Sequence, residues 1–165
     1  MPMSNPPVTI DPVLQAEVSR FLASYAECID TDQLEDWPEY FTDDCLYMLQ
    51  SRENYDRDLP VSAIRCDSKG MLVDRIVSLR NANIFAEHFY RHVLSIPLIR
   101  SVDDDNIVVH TNYVVFQTLL DGASRTYSVG RYIDTLTRVA GELKFKEKIA
   151  VFDTNQIATL LVTPI

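Results

Sequence analysis

Three histidines, a set of tyrosines and acids, and three cysteines carry the chemistry that this 165-residue chain could perform. His88 and His92 stand four residues apart, a spacing that on a helix presents both imidazoles on one face and suits a metal. No H-E-x-x-H pattern surrounds them and no third ligand accompanies them. The other reading is that they bond to carboxylates or backbone at an interface, where imidazole donates and accepts at once. Tyr25, Asp30, Tyr47, His88 and His110 form a second set, because an Asp–His pair can abstract a proton next to a carbonyl. Helix capping accounts for Asp30 in the Asp30-Thr31-Asp32 turn, and His110 lies mid-strand, where it can face either way. Cys28, Cys45 and Cys66 are odd in number and lack C-x-x-C spacing, so they read as buried thiols rather than a disulfide framework or zinc site. The acids Asp103 to Asp105 read as a turn without an EF-hand loop. Trp37, Tyr40 and Phe41 could line a pocket, but aromatics at helical spacing are usually core.

The elements that must position these groups follow from pattern. Asp11-Pro12 is an N-cap followed by proline at the first helical position. Val13, Leu14, Val18, Phe21, Leu22, Tyr25 and Ile29 then recur at three and four, the stripe of a helix facing a core. A short second helix is expected through Gln33, Leu34 and Trp37 to Phe41, and a strand from Cys45 to Gln50. Ser51 to Pro60 is polar enough to be an exposed crossing. A third helix is capped by Asp67-Ser68, with Met71, Leu72, Ile76 and Leu79 inward and Asp74, Arg75 and Arg80 at its edges. Phe85 to Tyr90 fits a helix end or a loop.

Beyond it the period falls to two. Tyr90 to Val102, Ile107 to Leu120, Tyr127 to Val139 and Leu143 to Asp153 read as long strands, joined by Asp103 to Asn106, Asp121-Gly122 and Ala140 to Glu142. In the last strand Leu143, Phe145, Ile149 and Val151 share one face, and Lys144, Lys146 and Lys148 the other. Helices followed by antiparallel strands define an α+β class, one domain over 11–165 behind a flexible arm at 1–10.

Hydrophobic residues make up 47%, enough for a sizeable core, and 24 acids against 15 Lys and Arg leave a formal charge of −9. That charge opposes binding to nucleic acid and anionic membranes. The opening MPMSNPPVTIDP lacks a signal peptide's features, and no apolar run spans a bilayer, so a cytoplasmic location is expected.

The segment Tyr25-Ala-Glu-Cys-Ile-Asp30-Thr-Asp-Gln-Leu-Glu-Asp-Trp37-Pro-Glu-Tyr-Phe41-Thr-Asp-Asp-Cys45 resembles the opening of the small, or beta, subunits of aromatic-ring-hydroxylating dioxygenases. Glu53 to Arg57, Cys66 to Arg75, Tyr90-Arg91-His92 and Pro164-Ile165 extend the likeness, which looks nearest to the terephthalate dioxygenase and salicylate 5-hydroxylase branches. The resemblance implies a curved, mainly antiparallel sheet wrapped around the N-terminal helices as a cone, the fold of nuclear transport factor 2, ketosteroid isomerase and scytalone dehydratase (cystatin-like). It implies a non-catalytic subunit without its own cofactor. The large subunit would carry a Rieske [2Fe-2S] cluster and mononuclear Fe(II), with NADH or NADPH supplying electrons through a reductase, with or without a ferredoxin. An α3β3 hexamer acting on an aromatic carboxylic acid would follow.

This chain lacks the C-x-H…C-x-x-H pairs of a Rieske site, and its three histidines are too few for that centre plus a facial iron triad. Candidate subunit contacts are Arg52, Asn54, Asp56, Arg57, Asp74, Arg75, Arg91 and His92. Alternatives are a stand-alone dehydratase or isomerase using the cone pocket, and a ligand-binding module.

Overall fold

Asp11 caps the first helix as its sequence dictates: its carboxylate accepts from the Val13 N–H at 2.9 Å, and α1 runs Pro12–Asp30. The computed structural model describes residues 10–81, 87–154 and 163–165. The expected arm lies almost wholly outside these, as do residues 85 and 86 of the expected helix-to-strand transition. In α1, Val18, Leu22, Tyr25 and Ile29 are buried, whereas Val13 is 71% exposed, because the first turn overhangs the core.

The expected second helix shrinks to a 3-10 turn, Trp37–Tyr40, and strand β1 (Phe41–Ser51) begins four residues before Cys45. Ser51 caps a short helix, α2 (Arg52–Asp56), so the polar crossing is partly helical. A short strand that the pattern does not announce, β2 (Ile64–Cys66), pairs with β1, and α3 follows at Lys69–Asn81. Leu72, Ile76 and Leu79 face inward there, but Met71 is 42% exposed.

The remaining strands are β3 (His88–Leu94), β4 (Leu98–Val102), β5 (Ile107–Leu119), β6 (Ser124–Val139) and β7 (Glu142–Phe152). The single strand expected from Tyr90 to Val102 breaks between Leu94 and Leu98, where Pro97 cannot donate to a ladder. The sheet order is β2-β1-β7-β6-β5-β3, with β4 also on β5. All pairs are antiparallel except β1 with β7.

The turns carry the residues their geometry needs. Ala140 and Gly141 both have positive φ, as a two-residue hairpin turn requires. Asp103 Oδ1 accepts from the N–H groups of Asp105 and Asn106, a turn complete without a cation.

Two irregularities shape the concave face. Between Thr135 and Leu136 the β6–β7 register slips, so that Glu147 and Phe145 face consecutive residues and Lys146 is left over. This bulge inverts the alternation. Lys148, expected outward with Lys144 and Lys146, is therefore fully buried, and Ala150 and Phe152 rather than Ile149 accompany it inward. Gly130 lies opposite Phe152, and a Cβ there would sit 2.0 Å from the Val151 oxygen, so only glycine lets β6 and β7 approach this closely.

Candidate functional site

Among the described residues, the polar groups inside the cone include three connected sets. In the first, the bulge delivers Lys148 to a box of aromatic rings. Its Nζ lies 3.5 Å from the centroid of Tyr132, 4.5 Å from Tyr25 and 4.6 Å from Phe145, and 3.3 Å from Asp134 on the neighbouring strand. Both members of this ion pair are 0% exposed. Burial pushes the Asp134 carboxyl up to about 6 against the pull of Lys148, and pushes Lys148 down to about 8 against the pull of Asp134.

The second set gathers on Ile165. Tyr25 in α1 and Tyr47 in β1 both donate their hydroxyls to the Ile165 main-chain oxygen, at 3.2 and 3.1 Å. Ile165 N–H returns a bond to Tyr47 at 3.1 Å, and Trp37 Nε1 donates to Tyr25 at 3.2 Å. Ile165 is buried, so the chain itself occupies the space between the two phenols. Burial raises both hydroxyls, Tyr47 to about 12, which keeps them protonated and able to donate.

The third set overturns the capping role expected of Asp30. As the last residue of α1 it accepts from His92 twice, from the main-chain N–H at 2.8 Å and from Nδ1 at 2.6 Å. The two side chains are 5% and 0% exposed. His92 Nε2 is buried and has no hydrogen-bond partner among the described residues. The partner of Asp30 is thus His92, not His88 or His110. His88 shares the inward face of β3, its ring 4.7 Å from Tyr90, and His110 lies on the outer face of β5. Burial, followed by Arg131 and Arg100, lowers the His110 imidazole.

His88 and His92 both belong to one strand, which sets them roughly 13 Å apart along it and rules out a shared metal. Among the described residues, no group of three or more His, Cys, Asp or Glu gathers as a metal site would. The three cysteines are free and buried. Trp37 and Phe41 pack in the core and Tyr40 against it.

The expected contact residues divide. Arg52, Asp56, Arg57, Asp74 and Arg91 are exposed. Arg52 pairs with Asp153 at 2.9 Å and Arg57 with Glu53 at 2.8 Å, while the Asn54 amide bonds the Val61 oxygen. Arg75 is half-buried, and its charge acts on Tyr47, Cys66 and Tyr127. The His92 side chain is inside the protomer, so it does not belong to the surface set. Sequence spacing did not single out the exposed apolar rows on the convex side of the sheet: Phe89 is 57% exposed and Val93 52%, with Phe116 and Val129 nearby in register. Among the described residues no helix is long and apolar enough to cross a membrane.

A helix-lined α+β cone defines a class of small accessory or pocket-bearing domains, and comparison with known proteins narrows it. Residues 25–159 match the family described as "Ring hydroxylating beta subunit". The chain is 46% identical over 141 residues to the anthranilate 1,2-dioxygenase small subunit of Burkholderia cepacia, covering 86% of this chain and 88% of that one. It is 37% identical over 151 residues to terephthalate 1,2-dioxygenase terminal oxygenase component subunit beta 2 of Comamonas sp., covering 92% and 98%. A crystal structure from Novosphingobium aromaticivorans, ascribed to the beta subunit of an aromatic-ring-hydroxylating dioxygenase, superposes with a TM-score of 0.85 at 46% identity, over 93% of this chain and 97% of that one. The chain belongs to the ring-hydroxylating beta-subunit family, and is the small subunit of a dioxygenase complex.

Proposed function

We propose that this chain is a structural subunit that docks on a large subunit carrying a Rieske [2Fe-2S] cluster and mononuclear Fe(II), in an α3β3 hexamer that hydroxylates an aromatic carboxylic acid. NADH or NADPH supplies the electrons through a reductase, with or without a ferredoxin, in the cytoplasm. The observation that carries the docking role is the convex sheet face. Val93, Val114 and Val129 lie in one cross-strand row, flanked by Phe89 and by Phe116 beside Arg91. Apolar side chains in rows on an open sheet call for cover by another chain. The substrate class is supported by the relatives, whose names carry anthranilate and terephthalate, both aromatic acids.

The fully buried pair Lys148–Asp134 and the phenols closed on Ile165 favour a packed scaffold over an open reaction chamber. Arg52, Asn54, Asp56, Arg57, Asp74 and Arg91 form the polar rim of the docking surface, where charges govern encounter more than affinity. Co-expression with the large subunit, followed by sedimentation, tests this reading: the two chains should run as one complex, and the small chain purified alone should show no iron–sulfur absorption. A native small chain that sediments apart from its large subunit overturns it.

A further inference from the structure

The convex sheet face carries a charge opposite to that of the chain as a whole. Acids outnumber Lys and Arg by 24 to 15 over the sequence, yet the arginines on this face have no acid to hold. Strand register lines up Arg65, Met48, Ile149, Ile133, His110 and Leu98 in one cross-strand row, from β2 through β1, β7, β6 and β5 to β4. Six strands make the row roughly 24 Å long, the breadth of a protein interface rather than of a small-molecule cleft.

Four arginines border its apolar side chains. Arg65 ends the row and reaches the Met48 sulfur at 3.8 Å. Arg131 stands one row over, across from Asn112, and Arg91 stands across from Phe116. Arg100 comes from the irregular stretch of β4. Burial comes first in lowering the His110 imidazole and Arg131 and Arg100 follow, so both guanidinium groups are felt at the centre of the row. Among the described residues none of these four arginines forms an ion pair, whereas Arg52, Arg57, Arg80 and Arg138 each hold an acid. Acids that share the face are already engaged, Glu147 with the Thr135 hydroxyl and Asp153 with Arg52.

This pattern selects the occupant. A second copy of the chain would bring like charges together across the face, and like charges facing each other oppose association. A surface with carboxylates beside apolar side chains satisfies both features at once, because guanidinium groups bind carboxylates in a two-pronged geometry.

We infer that the part of the large subunit seated on this face is an apolar strip flanked by carboxylates, which pair with Arg65, Arg91, Arg100 and Arg131. The inference rests on the docking role proposed above and gives the partner surface its chemistry.

The test measures the dissociation constant of the small and large subunits by sedimentation at 50 and 300 mM NaCl. Wild type should bind about tenfold more weakly at the higher salt, since charge pairs at an interface rim are screened. Arg100→Gln/Arg131→Gln should bind about tenfold or more weakly than wild type at 50 mM and lose most of the salt response, while Arg100→Lys/Arg131→Lys, which keeps the charges, should recover most of the affinity. Arg138→Gln, whose guanidinium is held by Glu17, should match wild type. Wild-type affinity that is indifferent to salt overturns the inference, and this arm needs no variant to fold. A folded Gln double variant that binds as wild type does at both salts also overturns it while leaving the docking role intact. Failure of the native chains to associate at either salt overturns the docking role and the inference together. Wild type that floats with phosphatidylglycerol vesicles when the Gln variant does not, both binding the large subunit alike, assigns the face to a lipid surface and overturns the inference.

Discussion

Asp30 and His92 are joined twice across 62 residues of sequence, and the joint ties the end of α1 to the edge strand β3. An edge strand exposes main-chain N–H groups that nothing in the sheet can take up. The carboxylate takes one of them and orders the imidazole in the same gesture. Asp30→Ala should cost about 3 kcal/mol, because it strands two buried donors at once, and Asp30→Asn about half as much. Urea unfolding of the isolated chain measures both. A midpoint unchanged in Asp30→Ala would mean that water replaces the carboxylate freely.

The ion pair in the aromatic box behaves differently. Lys148→Met leaves Asp134 buried without its counter-charge and should lose about 3–5 kcal/mol. The double variant Asp134→Leu/Lys148→Met removes both charges and should recover most of that loss. Thermal melts of wild type, Lys148→Met, Asp134→Leu and the double variant form a complete cycle.

Burial pushes the thiols of Cys28 and Cys45 up to about 11, and raises that of Cys66. Above pH 9 the unfolded chain sheds thiol protons that the folded chain keeps. The folded state then holds more protons, so this contribution to stability falls as the pH rises from about 9 to about 11. The slope of stability against pH across that window should be shallower in Cys28→Ala/Cys45→Ala. Native protein should also leave a thiol reagent untouched at pH 8 and react fully once denatured.

Gly130→Ala should be among the costliest single methyl additions in the chain, since the new carbon meets main-chain atoms of Val151 and Phe152 that cannot rotate away. A loss of about 3 kcal/mol or more is expected. Expression yield and the melting temperature report it directly.

Two arginines of the expected contact set should part company. Arg57→Glu breaks only an exposed pair with Glu53, so it should slow association with the large subunit while leaving the melting temperature within about 1 °C. Arg75→Glu places a negative charge beside Tyr47 and Cys66 and should lower the melting temperature first. Sedimentation and melting, run side by side, separate the two effects.

What could be read from sequence was what local chemistry decides. The Asp11-Pro12 start, the Val18 to Ile29 stripe and the four long strand regions depend on neighbours three or four residues away at most. β2 escaped because three residues give no period to detect, and the Trp37 helix shrank because Phe41 is claimed by pairing with Phe145 on β7. Asp30 was misread because a turn explained it locally, while its true partner is set by tertiary packing. Lys148 was misread because strict alternation counts residues, and a bulge is a miscount written into the backbone.

That bulge at Lys146 acts as a phase marker for β7. Removing one residue there would restore regular pairing and turn the following stretch inside out, sending Lys148 to solvent and Ile149 and Val151 toward the box of rings. Chains of this architecture should therefore tolerate many substitutions along β7 yet almost no change in its length, so the spacing between Phe145 and Lys148 is a stricter signature than the identity of the residues between them.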